Sequence, residues 1–179
     1  MTNLVTKSDL DSYKYIADSV KNHVSWPQFV SEAQMLDVKH WLGDGLLLEI
    51  VDQYEAGTLT GLNKTLLDGG SYTYGTRNYH FQGLKATIIY YAFARFTNRS
   101  QFNFTAAGIV VKESEFSTPA STKDIQRMKT EAEQTAEALR CEVVSYLNRN
   151  SESYPLWRDR ACGCGSRCSD KRPFKAIGD

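Results

Sequence analysis

No run of about 18 consecutive apolar residues occurs in this 179-residue chain, so no segment has the length and hydropathy to span a bilayer as a helix. Nor is there a surplus of charge, since Lys plus Arg and Asp plus Glu each number 21. A protein whose main work is coating nucleic acid needs a basic excess, and this balance argues against one. The opening MTNLVTKSDLDSYKY lacks the apolar centre of a secretory leader, so the expectation is an unexported protein with four reduced thiols. Histidine is scarce. His23, His40 and His80 sit in unrelated segments, and structural roles are expected for all three. A G-x-S-x-G elbow, an HExxH pair, a P-loop and a GxGxxG turn are all missing. Glu113 and Glu115 alternate as two residues of one exposed face rather than as an acid/base couple. These absences lead us to expect no enzyme, no cofactor and no catalytic residue.

What is present suits one domain with a real core: 41% of residues are apolar and 23% charged. Residues 8–20 read as a short helix capped by Ser8, with Leu10, Tyr13, Ala17 and Val20 on one face. A longer helix follows from Pro27, with the stripe Val30, Ala33, Leu36, Trp41, Leu47, Ile50, Val51 and Tyr54. Gly43 and Gly45 predict a kink or a close helix contact in its middle. KTLL and SYTY flank Asp68-Gly69-Gly70, which predicts a β-hairpin over about 64–74. A lone hairpin is marginal in water, so this one must lie against helices or another chain.

Between Leu84 and Phe96 nearly every residue is apolar or aromatic, broken mainly by Lys85, Thr87 and Arg95. Such a helix is central and surrounded by protein, a demanding requirement at this chain length. Residues 101–120 read as an extended arm containing GIVV and ending in a turn at Pro119. The last helix, capped by Ser121 or Thr122, carries Ile125, Met128, Ala132, Ala136, Leu139, Val143 and Tyr146 at intervals of three and four. The predicted fold is therefore mainly α: a bundle of about four helices with one β-hairpin and an extended arm, spanning residues 1–157. Residues 158–179 form a basic, cysteine-containing tail.

Charge is uneven along the chain. Residues 1–60 hold four basic groups against nine acidic ones, and the remainder carries the compensating positive excess. That is either an unevenly solvated surface or a pair of ends suited to head-to-tail contact between copies. The tail is basic as well, with six basic groups against three acidic ones after Trp157. Cys162, Cys164 and Cys168 follow C-x-C-x3-C, with Cys141 upstream in the last helix. Four thiolates would suit tetrahedral zinc, but no C-x2-C knuckle is present and a C-x-C pair closes a very tight chelate. We read this segment as a docking tail that orders on contact with something else, and assign it no metal.

In order the chain reads LLDGGSYTY, FQGLKATIIYYAFARF, TAAGIVVKESEFSTPAS and a final amphipathic helix ending YLNRNSESYPLW, within a likeness that runs from about Ser8 to Trp157. This combination resembles the head–tail connector (adaptor) proteins of tailed phages of Bacteroidetes, including the ring proteins of crAss-like phages. The resemblance implies a structural virion protein at the capsid–tail junction, assembled in the host cytoplasm. Its implied partners are further copies in a ring, expected to be a dodecamer, the portal protein above and a further tail or ring protein below. DNA passing down the channel could be touched without sequence readout. On this view Tyr72, Tyr74 and Arg77 lie on a hairpin at an interface. Ile109, Val110, Val111 and Lys112 lie on an arm that meets a neighbouring subunit or the portal. Intramolecular packing is the alternative for each. The competing functions are a nucleic-acid-binding helical module using the basic C-terminal two-thirds, and a zinc-stapled protein.

Overall fold

The computed structural model describes residues 2–13, 25–99, 102–105, 108–111 and 121–158, with side chains outside 102–111 and 158. The fold is mainly α, as the pattern predicts. Its organising element is α6 (Gly83–Arg99), around which α1 (Lys7–Tyr13), α2 (Trp26–Glu32), a π-helix (Ala33–Val38), α5 (Gly61–Asp68) and α7 (Thr122–Arg149) are packed. Two short helices, α3 (Lys39–Leu42) and α4 (Asp44–Glu55), continue from the π-helix, and α8 (Pro155–Arg158) packs against α4. Leu84, Ile88, Ile89 and Ala92 are fully buried, and Phe93 and Phe96 nearly so. The chain itself supplies the cover that this all-round apolar helix requires. Its two buried hydroxyls are satisfied within the helix: Thr87 donates to the Gly83 carbonyl (3.4 Å) and Thr97 to that of Phe93 (2.8 Å).

Polar side chains lock the layers at three places. Lys85, the one lysine on α6, reaches Asp68 at 2.8 Å and Asp9 at 3.1 Å, tying α5 and α1 to the central helix. Burial opposes its charge, but the hydrogen bonds to the two carboxylates outweigh that and raise its pKa above the ordinary 10.5. Arg95 grips Asp37 with two N–H groups (2.8 and 2.9 Å) and so pins the π-helix. Gln34, almost fully buried, accepts the Leu4 N–H (2.8 Å) and donates to the Thr2 carbonyl (3.2 Å), which straps the N-terminal segment down.

Four local expectations require correction. The first helix begins at Lys7, ahead of Ser8. The Asp9 carboxylate accepts both the N–H and the hydroxyl of Thr6 (2.7 Å each), the first of these being one half of a capping box. Ala17 and Val20 lie outside the described residues. In the second helix the stripe holds at Val30, Ala33, Trp41, Leu47, Ile50 and Val51, but Leu36 is 60% exposed. Wider π-turns, seen in the bond from the Lys39 N–H to the Gln34 carbonyl, rotate the following residues and turn Gln34 and Val38 inward instead. Gly43 then breaks the helix outright at φ 89°, the interruption expected of the two glycines, and Gly45 of α4 faces Leu156.

The third correction concerns the hairpin. KTLL is the end of α5, capped by the Thr60 side chain on the Asn63 N–H (3.2 Å), and Gly69 is its C-cap. The strands are β1 (Gly70–Tyr74) and β2 (Arg77–Phe81), paired antiparallel from Gly70↔Phe81 to Tyr74↔Arg77. Gly75 takes φ 61° at the first loop position, as a type II′ turn wants. Asp-Gly-Gly punctuates a helix end as readily as a hairpin, since both need positive φ. Finally, the expected arm is a second antiparallel hairpin, β3 (Phe102–Thr105) with β4 (Gly108–Val111), in a separate two-stranded sheet.

Along α7 the stripe is buried at Ala132, Ala136, Val143 and Tyr146, whereas Leu139 and Ile125 are half-buried and Met128 is 48% exposed. The two helices run antiparallel, with Gln82 beside Glu142 and Tyr91 beside Glu137, which brings the end of α6 level with Lys129. The 28-residue α7, about 42 Å long, outruns the 17-residue α6 by its first two turns. Ser121 is the cap, accepting the Asp124 N–H at 3.2 Å.

One junction holds the hairpin to the bundle. Gly69 (φ 82°) and Gly83 (φ 81°) meet backbone to backbone where α5 ends and α6 begins. A Cβ on Gly83 would lie 2.7 Å from the Asp68 carbonyl carbon and closer still to the Gly69 nitrogen. Gly83→Ala should therefore lose about 3 kcal/mol or more in denaturant unfolding, combining backbone strain with overpacking. Gly61→Ala, where nothing lies within 4 Å, should stay within about 0.5 kcal/mol. Equal effects of the two substitutions would contradict the crossing.

Candidate functional site

Hairpin β1–β2 rests on the last turns of α7 through one face. Tyr72, Tyr79 and Phe81 point inward, while Ser71, Thr73, Asn78 and His80 are exposed on the other face. Inward packing is aromatic on aromatic. Phe81 stacks on Tyr146 with centroids 4.3 Å apart, and Tyr72 meets Tyr146 edge-on at 4.9 Å and Tyr79 stacked at 5.6 Å. Arg149 in the last turn of α7 completes the cluster. It donates to the Tyr72 hydroxyl (2.8 Å) and lies over the rings of Tyr79 (4.0 Å) and Tyr74 (5.4 Å). A cation at a helix C-terminus is also favoured by the backbone dipole.

Beneath the hairpin the cluster continues into the short helices. Tyr154 donates to the Leu62 carbonyl (2.8 Å), and the hydroxyls of Tyr146 and Tyr154 lie 3.2 Å apart. With its single proton committed to Leu62, Tyr154 must accept from Tyr146. Burial, and secondarily Tyr146, raise the Tyr154 pKa far above the ordinary 10.0. Trp157 donates to the Asn148 side chain at 3.0 Å, closing α8 onto α7.

Of the seven sequence-expected contact residues, this places three. Tyr72 is half-buried, and its hydroxyl accepts a hydrogen bond from Arg149 of the same chain. Tyr74 is 53% exposed and Arg77 is exposed, so the hairpin tip presents both to solvent. Ile109, Val110 and Val111 lie on β4, paired with Phe104, Asn103 and Phe102, so they do not form the single extended arm expected. Lys112 lies outside the described residues. The structure does not bring the two groups together in one ladder. Arg149 was missed; the signal was a lone arginine in the last turn of the amphipathic helix, just before an aromatic SYPLW.

An open groove of about 650 Å³ between α6 and α7 is lined by Asp37, Tyr91, Arg95, Lys129, Glu133 and Glu137. Its charges are paired with neighbours: Arg95 with Asp37, Lys129 with Glu133 at 3.5 Å, and Glu137 with Arg140. Among the described residues no three His, Cys, Asp or Glu side chains gather as a metal site. Cys141, expected as a free thiol, is disulfide-bonded, with its partner outside the described residues. Cys162, Cys164 and Cys168 also lie outside them. No helix among the described residues is long and apolar enough to cross a membrane.

Two outcomes test the cluster. Arg149→Ala should lower stability by about 1–3 kcal/mol and speed amide exchange across residues 70–81, leaving the α6 amides protected. Uniformly faster exchange would mean that Arg149 does not hold the hairpin. Because the Tyr154 phenol titrates higher folded than unfolded, its stabilisation is complete below pH 10 and is lost as pH rises above it. Thermal midpoints should then fall less steeply above pH 10 in Tyr154→Phe than in the wild type; parallel slopes would contradict the shift.

No curated protein and no solved structure matches the chain. One family model does, over residues 38–167, from the end of the π-helix to beyond α8; it is described as a family of unknown function (DUF6712).

Proposed function

The chain belongs to the DUF6712 family, and we propose that it is a structural virion protein, a head–tail connector subunit that forms a ring below the portal, joins capsid to tail and extends the DNA channel. The observation that carries this reading is the length and content of the connection between α6 and α7. Antiparallel helices packed side by side need a link of roughly 2–8 residues. Residues 100–121 separate these two, and they carry the β3–β4 hairpin. The bundle core does not need such an insertion. In a ring subunit it has a use, because a two-stranded ladder offers its outer edges to a neighbour or to the portal.

The order of motifs along the chain and the opposite charge of its two ends support the same reading. The central helix does not, since its cover comes from its own chain. The partners on this reading are other copies, twelve by resemblance, the portal protein and the next tail component, with DNA touched only through phosphates. It assigns no catalysis and no cofactor. Its place is the capsid–tail junction of the virion.

Mass spectrometry of purified virions should find this chain at a few copies per capsid vertex, not at capsid abundance. Negative-stain images of the purified protein mixed with the portal protein of the same virion should show portal-bound rings. Absence from virions, together with a monomer that ignores the portal, would sink the proposal. A strongly salt-dependent affinity of that monomer for oligonucleotides would move the assignment to a nucleic-acid-binding module.

A further inference from the structure

Two surfaces of opposite character remain exposed once the core is built. The first is the outer face of α4. Asp44, Leu48, Asp52 and Glu55 recur at intervals of four, four and three, so they share a face, and all four are exposed. Leu48 is 51% exposed in the middle of that face. Leu156, which packs on Gly45 of α4, and Leu62, across the same small cleft beside Glu49, are also exposed, at 41% and 47%. No Lys or Arg occurs between Lys39 and Lys64, whereas four acidic residues do. Lys39 offsets Asp44 at 3.3 Å, which leaves Asp52 and Glu55 as the acidic end of the face.

The second surface is the tip of hairpin β1–β2. Between Asp68 and Glu113 the chain has no acidic residue. The tip presents exposed Tyr74 and Arg77, registered directly opposite each other, with Arg149 behind them over Tyr74 and Tyr79. It thus combines an aromatic ring with positive charge. The α4 face combines leucine with negative charge.

We infer that the hairpin tip of one copy docks on the α4 face of the next, Tyr74 against Leu48 and Arg77 against Asp52 and Glu55. The occupant is a second copy because each chain carries both halves of a complementary pair. Two different patches make the contact heterologous, and a heterologous contact that closes is a ring. This rests on the connector reading and adds to it which surfaces meet. It also explains why the hairpin is pinned so firmly: the Gly69–Gly83 crossing and Arg149 hold a docking element in fixed orientation, so little ordering opposes association.

The test is a charge-reversal exchange, read by sedimentation velocity and negative-stain imaging of the full chain with and without the portal protein. Arg77→Glu alone, and Asp52→Lys with Glu55→Lys alone, should each weaken self-association about tenfold or more, with thermal midpoints near wild type. An equimolar mixture of the two variants should assemble again, because every junction between unlike chains pairs opposite charges. The triple variant should assemble as well. Rings of wild-type strength from either single-surface variant, or a mixture that fails to recover, would overturn the docking surfaces while leaving the connector reading standing. If the wild type forms no ring even with the portal, both fall.

Discussion

A helix that is apolar around its whole circumference must be enclosed, and in a chain of this length that requirement organises everything else. Gly83–Arg99 takes cover from α2 and the π-helix, from α5, from α1 and from the long α7. Each covering element meets it through an apolar stripe, and most are then tied by one polar anchor: Lys85 to Asp9 and Asp68, Arg95 to Asp37, Tyr91 to Glu137. Dispersion and the hydrophobic effect bring the layers together without direction. The charged anchors, partly buried and geometrically fixed, select one rotation of each helix about its axis.

The hairpin inherits its position from that enclosure. It grows out of the point where α5 meets α6, and only glycine on both sides allows the two backbones to approach so closely. From there its inner face falls on the C-terminal turns of α7, where Tyr146 and Arg149 receive it. The tip that results is exposed but not loose, held at its root by backbone contact and along its face by stacked rings. The second hairpin is built on a different principle. It interrupts two helices that already pack side by side, so its existence cannot be explained by the core.

Several of these features are legible in the residues alone. The nearly all-apolar run at 84–96 announces a central helix, and the three-and-four spacing at 125–146 announces an amphipathic partner, because helical periodicity is a local property of the backbone. The misreadings have equally specific causes. Leu36 fits the α-helical stripe but emerges exposed, because a π-helix changes the angle per residue without changing the composition. Asp68-Gly69-Gly70 carries the same positive-φ signal for a helix end as for a β-turn, and the hairpin lies one turn further on. Met128 follows the periodicity of its helix yet is 48% exposed, because it lies where α7 runs on past the end of α6.

What the sequence by itself determined, then, is the mainly helical class, the identity of the central helix and of its long partner, and the presence of an irregular insertion between them. These follow from patterns repeated within a few residues. Which residues form the two exposed surfaces was decided only in three dimensions. Arg149 reaches Tyr72 across 77 positions of chain, and Leu156 closes on Gly45. Such pairs depend on how far each helix has turned and where it ends, and those angles are set by packing against elements distant in sequence.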